Sequence, residues 1–312
     1  MSWLRRHVWT ILAICVALAA GVALGAGPLQ RDEGDRNTAG RRGDQAIAAP
    51  LDDDPFREAL TLTATEALVG AKLEGVVITL VVLPEVDDNL VEGVASVIEQ
   101  AGGSLAATVR IDEAFTDPGS KAYVDSVATS SAKGVQDVSG IPVDDTYELI
   151  SGLVARAYVT GDDGSAPVLD EVATRIDSEL QGANLVEVEG DPLRSGALVV
   201  VLAHGADGTD DLSAATNLIE TKLITALAKT ADAVLLATTP AASSRAGLLA
   251  ALADVEAVAG ADNLASLNVI GSAAGRVASV YALLAVTSGQ AGQYGIVDGE
   301  VVLPPGLSLP PQ

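Results

Sequence analysis

The pattern of apolar and polar positions divides the chain into one long apolar segment near the N-terminus and a series of shorter ones after residue 75. The long segment runs from Val8 to Gly27 and contains no charged residue. A helix of about 20 residues rises about 30 Å, which matches the hydrocarbon thickness of a bilayer. The segment therefore predicts a single transmembrane helix.

The flanks of this segment predict its orientation. Arg5 and Arg6 precede it, so the positive-inside rule keeps the N-terminus cytoplasmic and places the rest of the chain outside the cytoplasm. Gly21 and Gly25 form a pair that lets two membrane helices pack closely, although small residues are common in such helices generally. A cleaved signal peptide is the alternative, but its apolar core is usually shorter, about 7–15 residues.

The segment that follows, residues 28–58, is charged and contains Gly, Asp and Pro without helical spacing or strand alternation. Such a composition predicts a flexible tether. Residues 59–303 are predicted to form one extracytoplasmic domain, and residues 304–312 a proline-rich tail.

Strand and helix patterns alternate through the predicted domain. Residues 76–83 are a continuous apolar run rich in β-branched side chains, residues 90–100 carry apolar side chains at helical spacing, and residues 105–111 again resemble a strand. A strand that is apolar on both faces is typical of a parallel sheet covered by helices. This part of the chain therefore predicts a β-α-β unit.

The alternation continues to residue 288, and the segment after it is rich in turn-forming residues. Further helices are predicted at 119–131, 145–160, 168–181, 211–229, 244–253 and 274–288, and further strands at 185–189, 197–203, 233–239 and 265–270. This order predicts an α/β fold, a doubly wound and mostly parallel sheet with helices on both faces, preceded by the one transmembrane helix.

Charge and motifs then limit the chemistry. The formal net charge is −24, which disfavours binding to nucleic acid. The turn after the first strand, residues 83–88, contains no glycine, and neither a P-loop nor a G-x-S-x-G motif is present, so the sequence predicts neither a bound cofactor nor an enzyme. An exported hydrolase that uses His204 ranks last among the hypotheses.

One loop is a candidate for metal binding. His204 and Asp207 follow the strand predicted at 197–203, and doubly wound folds bind ligands beyond the carboxyl ends of their strands. An ordinary loop that caps the next helix is the favoured alternative. Copper prefers Cys, Met and imidazole ligands. In the part of the chain that follows Gly27 the only such ligand is His204. The sequence therefore predicts no high-affinity copper site within a single chain.

Three parts of the sequence resemble one known family. They are the opening segment SWLRRHVWTILAICVALAAGVALGAGPLQ, the β-α-β unit of residues 76–118 and the segment NVIGSAAGRVASVYALLAVTSGQAGQYG. In this order they are similar to the mycobacterial copper transport protein B (MctB) family of actinobacterial envelope proteins. The matching residues are Phe115, Asp117 and Pro118 of an F-x-D-P turn, Gly275 and Arg276 of an AAGR helix, and Gly292, Tyr294 and Gly295 near the end.

The resemblance implies a role in copper homeostasis or efflux at the cell envelope, with an outer-membrane location suggested for relatives. SteB-like members of the family imply an alternative, a non-enzymatic scaffold that regulates cell-wall remodelling through a protein partner. The expected partners are the lipid bilayer, through residues 8–27, and a second copy or another envelope protein. Relatives commonly carry a heptad-like coiled coil after the membrane helix, whereas residues 28–58 here lack heptads, which argues against oligomerisation through a coiled coil. For Gly275 and Arg276, packing or an ion pair at a helix end is the favoured role.

Overall fold

The computed structural model describes residues 55–133, 135, 145–159, 170–190, 196–206, 208–255 and 262–307. The predicted transmembrane helix, with Val8, Gly21, Gly25 and Gly27, lies outside the described residues, as does most of the predicted tether. Within the described ranges, none of the helices has the length and apolarity needed to cross a bilayer.

The described residues form an eight-stranded mixed sheet in the order β3-β2-β1-β4-β5-β6-β7-β8. Its strands are β1 (Val77–Val82), β2 (Ser104–Ile111), β3 (Val186–Gly190), β4 (Leu198–Ala203), β5 (Ala233–Thr238), β6 (Leu264–Leu267), β7 (Gln293–Val297) and β8 (Glu300–Val302). The pairs from β2 to β7 are parallel, and the two outer pairs, β2 with β3 and β7 with β8, are antiparallel. The predicted mostly parallel α/β sheet is confirmed.

Helices cover both faces of this sheet. They are α1 (Pro55–Val69), α2 (Asp88–Gln100), α3 (Glu113–Thr116), α4 (Lys121–Ser131), α5 (Thr146–Tyr158), α6 (Glu171–Gly182), α7 (Asp211–Thr230), α8 (Leu248–Ala253) and α9 (Ala273–Thr287). Alternate side chains of β4 enter two separate cores: Val199 and Val201 pack with α3 to α8, whereas Val200 and Leu202 pack with α1, α2 and α9. The sheet is therefore doubly wound.

The strand order reverses direction at β1. This strand pairs with β2 on one side and with β4 on the other, and both pairings are parallel. From β1 the chain continues outward to β2 and β3, and from β4 it continues in the opposite direction to β5. The carboxyl ends of β1 and β4 therefore border a crevice of the kind in which doubly wound folds bind ligands. A functional site is therefore expected at the loops that follow Val82 and Ala203.

Three details of the sequence-based prediction were wrong. Helix α1 was not predicted, and its first residues, from Pro55, fall in the segment predicted as a tether. The helix predicted at 244–253 begins only at Leu248, after a short 3₁₀ turn over Pro240–Ser243. Strands β7 and β8 lie in the segment predicted to be turn-rich. They were not predicted because each is short and depends on a neighbouring strand for its hydrogen bonds.

Several acidic side chains of the domain are helix caps. Asp87, Asp145, Asp170 and Asp210 each accept hydrogen bonds from backbone N–H groups in the first turn of the helix that follows. The side chain and backbone of Ser213 donate to Asp210 and hold the pKa of that carboxyl below its usual value. Part of the acidic composition therefore stabilises helix ends.

Candidate functional site at the carboxyl ends of the central strands

The loops after β1 and β4 lie side by side at the strand-order reversal. The amide of Leu83 donates to the carbonyl of Leu202 over 2.9 Å, which continues the pairing of β1 with β4 to the edge of the sheet. Glu85 follows with a positive φ of 65°, a conformation that is uncommon for a residue with a side chain. The turn therefore presents an exposed carboxylate at the crevice.

His204 is an exposed side chain in the neighbouring loop. Its carbonyl accepts a hydrogen bond from the Thr239 hydroxyl over 2.8 Å, so its backbone is tied to the end of β5. Asp207 lies outside the described residues, and the proposed pairing of these two side chains as metal ligands stays a prediction. The described residues contain no group of three His, Cys, Asp or Glu side chains arranged to hold a metal ion.

Glycine allows the loop after β4 to pack tightly on the loop after β5. Gly205 has a φ of 75°, and a Cβ on it would lie 2.3 Å from the Ala242 Cβ. Gly208 has a φ of 67°, and its Cβ would lie 1.7 Å from the carbonyl oxygen of Ala246. Neither site admits a larger residue without a backbone shift.

Helix α7 carries a row of buried polar side chains, and the first of them, Asn217, contacts these loops. Asn217 is fully buried, and its Nδ2 donates to the carbonyls of Ala206 and Ala246 over 3.3 and 3.2 Å, which joins the helix to both loops. Four side-chain oxygens of this row have no hydrogen-bond partner among the described residues: Asn217 Oδ1, Glu220 Oε2, Thr221 Oγ1 and Thr225 Oγ1. Buried polar atoms normally have partners, so these four oxygens are candidate partners for a bound water molecule or another ligand.

Glu220 is the most perturbed carboxyl of this row. It is only 6 % exposed. Burial, and secondly the negative charge of Glu85, raise the pKa of Glu220 to about 7. A buried carboxyl whose pKa lies near neutral pH is a candidate functional group. Glu220 was not predicted from the sequence, although its spacing from Asn217 and Thr221 on one helix face is a visible signal.

An open cleft of about 660 Å³ lies at the carboxyl ends of β1 and β2. Its acidic lining residues are Glu85, Asp112, Glu113 and Glu187. Its one basic residue is Arg110, which already forms ion pairs with Asp88 and Glu189 at 3.1 and 3.0 Å. Because the arginine is paired, the cleft is electrostatically negative and favours cations.

The F-x-D-P turn has a structural position beside this cleft. Phe115 is fully buried in the core beneath α4 to α7. Asp117 accepts hydrogen bonds from the Gly119 amide over 2.8 Å and the Ser120 hydroxyl over 2.9 Å, while Pro118 begins the 3₁₀ turn. These residues fix the chain where it leaves β2 for α4.

The AAGR segment joins α9 to α1. The carboxylate of Glu58 accepts from the Ala273 amide over 2.8 Å and pairs with the Arg276 guanidinium over 2.7 Å. Its negative charge also interacts favourably with the N-terminal end of the α9 dipole. Gly275 is required because a Cβ there would lie 1.7 Å from the Val269 carbonyl oxygen. Arg276 thus forms an ion pair at a helix end.

Tyr281 extends this junction along α9. Its hydroxyl donates to the Leu68 carbonyl over 2.7 Å, and the Lys72 ammonium lies 4.9 Å from its ring centroid. Gly306, near the C-terminal end of the described residues, lies close to the Tyr281 ring: a Cβ on Gly306 would lie 3.1 Å from Tyr281 Cδ1. Tyr281 therefore contacts both the end of α1 and the C-terminal segment of the described domain.

The C-terminal motif packs around Asn268. The Oδ1 of Asn268 accepts from the Ile296 amide over 2.8 Å, and Gly295, with a φ of 104°, approaches so closely that a Cβ would lie 2.1 Å from that oxygen. Tyr294 donates to the Gln290 carbonyl over 2.9 Å, and Gly292 lies next to its ring. The family-motif residues therefore occupy three separate places and do not converge on the crevice.

The chain was compared with known proteins. The family model described as "Copper transport outer membrane protein, MctB" matches residues 1–305. Proteins named "Copper transporter MctB" from Mycobacterium bovis and Mycobacterium tuberculosis are each 24 % identical to it over 317 residues, and the match covers 96 % of this chain and 98 % of each relative. The similarity therefore extends well beyond the three motifs.

Proposed function

Because the chain belongs to the MctB family of copper transport outer membrane proteins, we propose that it is an envelope protein with a role in copper homeostasis or efflux. The observation that carries this proposal is the family match over residues 1–305, which includes both the N-terminal apolar segment and the α/β domain. A single transmembrane helix over residues 8–27 anchors the protein, and the domain lies outside the cytoplasm.

In this proposal the protein is not an enzyme, and copper is the ion that it helps to move. Beyond the N-terminal segment the chain supplies one imidazole, that of His204, and no thiol or thioether. Since copper prefers these ligands, a copper site is completed by a second copy of the chain or by another envelope protein.

The test is a deletion of the gene in its own organism. The deletion strain is expected to stop growing at a lower copper concentration than the parent and to retain more cellular copper, with zinc tolerance as the control. Complementation with the full chain restores both values. Complementation with a chain whose residues 8–27 are replaced by a cleavable signal peptide tests the anchor and should restore less. Unchanged copper tolerance in the deletion strain would contradict the proposal.

A scaffold for cell-wall remodelling is the second candidate function. The observation that favours it is the exposure of large apolar side chains on two helices, with Leu60 and Leu62 of α1 57 and 52 % exposed and Leu212 and Leu218 of α7 61 and 56 % exposed. Such side chains suit contact with a protein partner. If this function applies, the same strain shows abnormal septa or lysozyme sensitivity at constant copper, and its copper tolerance is normal.

A further inference from the structure

Strands β7 and β8 form a tight hairpin at one edge of the described sheet. The loop between them consists of Asp298 and Gly299, whose φ values are 52° and 83°. Positive φ at both positions is what a type I′ turn requires, and the twist of this turn matches that of two antiparallel strands. The hairpin therefore holds β8 in an extended conformation as the outermost strand.

The outer side of β8 presents backbone groups to its surroundings. Ile296 of β7 lies opposite Val301 of β8. The Ile296 amide donates to Asn268 Oδ1 over 2.8 Å, and the Ile296 carbonyl accepts from Asn268 Nδ2 over 2.7 Å. Opposite residues of antiparallel strands exchange either both hydrogen bonds or none. Because both backbone groups of Ile296 bond to Asn268, the N–H and C=O of Val301 point away from β7.

The side chains at this edge are apolar and exposed. Val301, Val302 and Leu303 are 67, 36 and 46 % exposed. The opposite edge strand, β3, instead carries Glu187 and Glu189 at exposed positions. Charged side chains are a common means by which proteins prevent pairing at a sheet edge. Of the two edges, β8 is therefore the one suited to accept another strand.

The sequence of this edge is complementary to itself. If two copies lie antiparallel about a two-fold axis at Val301, the two Val301 residues exchange both N–H···O=C hydrogen bonds. This register places Glu300 opposite Val302 of the other copy, so no two carboxylates oppose each other directly. It also places Leu303 opposite Gly299, which has no side chain to obstruct the leucine.

The length of the strand limits this pairing. Pro304 and Pro305 follow directly, and proline has no N–H with which to extend a hydrogen-bond ladder. A stable interface buries about 800 Å² on each partner, which is more than a few strand residues supply. The two-fold pairing is therefore closed and dissociates on dilution, and it does not propagate into a fibre.

We propose that β8 pairs with β8 of a second copy of the chain, antiparallel about Val301, and joins two eight-stranded sheets into one continuous sheet. This interaction goes beyond the proposed copper role, because it uses backbone groups and apolar side chains of the domain and requires no metal.

Disulfide trapping on the full chain in detergent tests the pairing, with Cys15→Ser as the background so that each variant has one thiol. Val301→Cys is expected to form a covalent dimer with oxidised glutathione. The Cα atoms of opposed, hydrogen-bonded residues lie about 5.5 Å apart, a distance that a disulfide spans. Glu187→Cys, exposed on the opposite edge strand, is the control and should remain monomeric. No dimer with Val301→Cys, or equal yields in both variants, would overturn the proposal.

Mixtures of two variants test the register. Glu300→Cys and Val302→Cys lie directly opposite each other in the proposed pairing, about 4.5 Å apart between Cα atoms. Their mixture should therefore give several-fold more covalent dimer than either variant alone. Equal yields in the mixed and separate samples would contradict the antiparallel register.

Trapping in membranes of the protein's own organism distinguishes a second copy from another partner. With Val301→Cys, a product of twice the mass of the chain supports the proposal. A product that contains a different protein, without the dimer, would assign the edge to that protein and refute pairing with a second copy.

Discussion

At the residue scale, Glu220 makes stability depend on pH. Its pKa of about 7 in the folded protein lies above the reference value of 4.5, so the folded state holds a proton that the unfolded state releases between these values. Its contribution to stability is present below about pH 4.5 and is lost as the pH rises through 7. A shift of this size corresponds to about 3 kcal/mol.

We therefore predict that Glu220→Gln flattens the dependence of the free energy of unfolding on pH between pH 5 and pH 8. The amide cannot ionise, so the variant should unfold at a higher temperature than the parent at pH 8, and the difference should shrink toward pH 5. The difference in unfolding temperature is measured by thermal denaturation of the full chain in detergent, with circular dichroism as the signal. Glu92→Gln is the control and should keep the slope of the parent; an equal slope in Glu220→Gln would argue against this account.

Gly295 provides a second prediction at this scale. Gly295→Ala places a Cβ 2.1 Å from Asn268 Oδ1 at a φ of 104°, so it should destabilise the domain by about 2 kcal/mol or more through combined clash and backbone strain. Gly289→Ala is the matched control, because its φ of 71° is also positive but no atom lies within 4 Å of the added Cβ. The denaturation midpoints of the two variants are compared. An equal loss of stability in both would contradict a role for the contact with Asn268.

At the element scale, one carboxylate fastens α1 to α9. We predict that Glu58→Gln costs about 1 kcal/mol, because the pair with Arg276 is only partly exposed and the capping of Ala273 also weakens. The effect should be local, with faster amide hydrogen exchange in α1 and little change in β1. Glu66→Gln, at an exposed position on the same helix, should exchange like the parent.

The elements also show what the sequence can and cannot predict. Strands β1 and β4 were predictable, because each is a continuous apolar run that only a doubly covered sheet buries. Helix α1 was not, because its exposed Leu60 and Leu62 prevent a single apolar face from standing out. At the site, the position of the His204 loop follows from strand order. The burial of Glu220 does not, because it depends on how α7 packs against distant parts of the chain.

At the scale of the whole molecule, the net charge of −24 has a measurable consequence. Mutual repulsion among carboxylates weakens the compact state, and salt screens it over a Debye length of about 8–10 Å near physiological ionic strength. We predict that the thermal midpoint rises by about 2–4 °C when NaCl increases from low concentration to 0.15 M, which corresponds to about 1 kcal/mol in a domain of this size. A falling midpoint would contradict the prediction.

The contacts of Tyr281 also determine how the domain bears a mechanical load. The hydroxyl of Tyr281 is bonded to the end of α1, and its ring lies against Gly306 close to the C-terminal end of the described chain. A pull on either segment therefore acts on a contact with α9. Detaching either segment uncovers part of the Tyr281 side chain, which is only 8 % exposed, so the packing of both segments depends on the same residue.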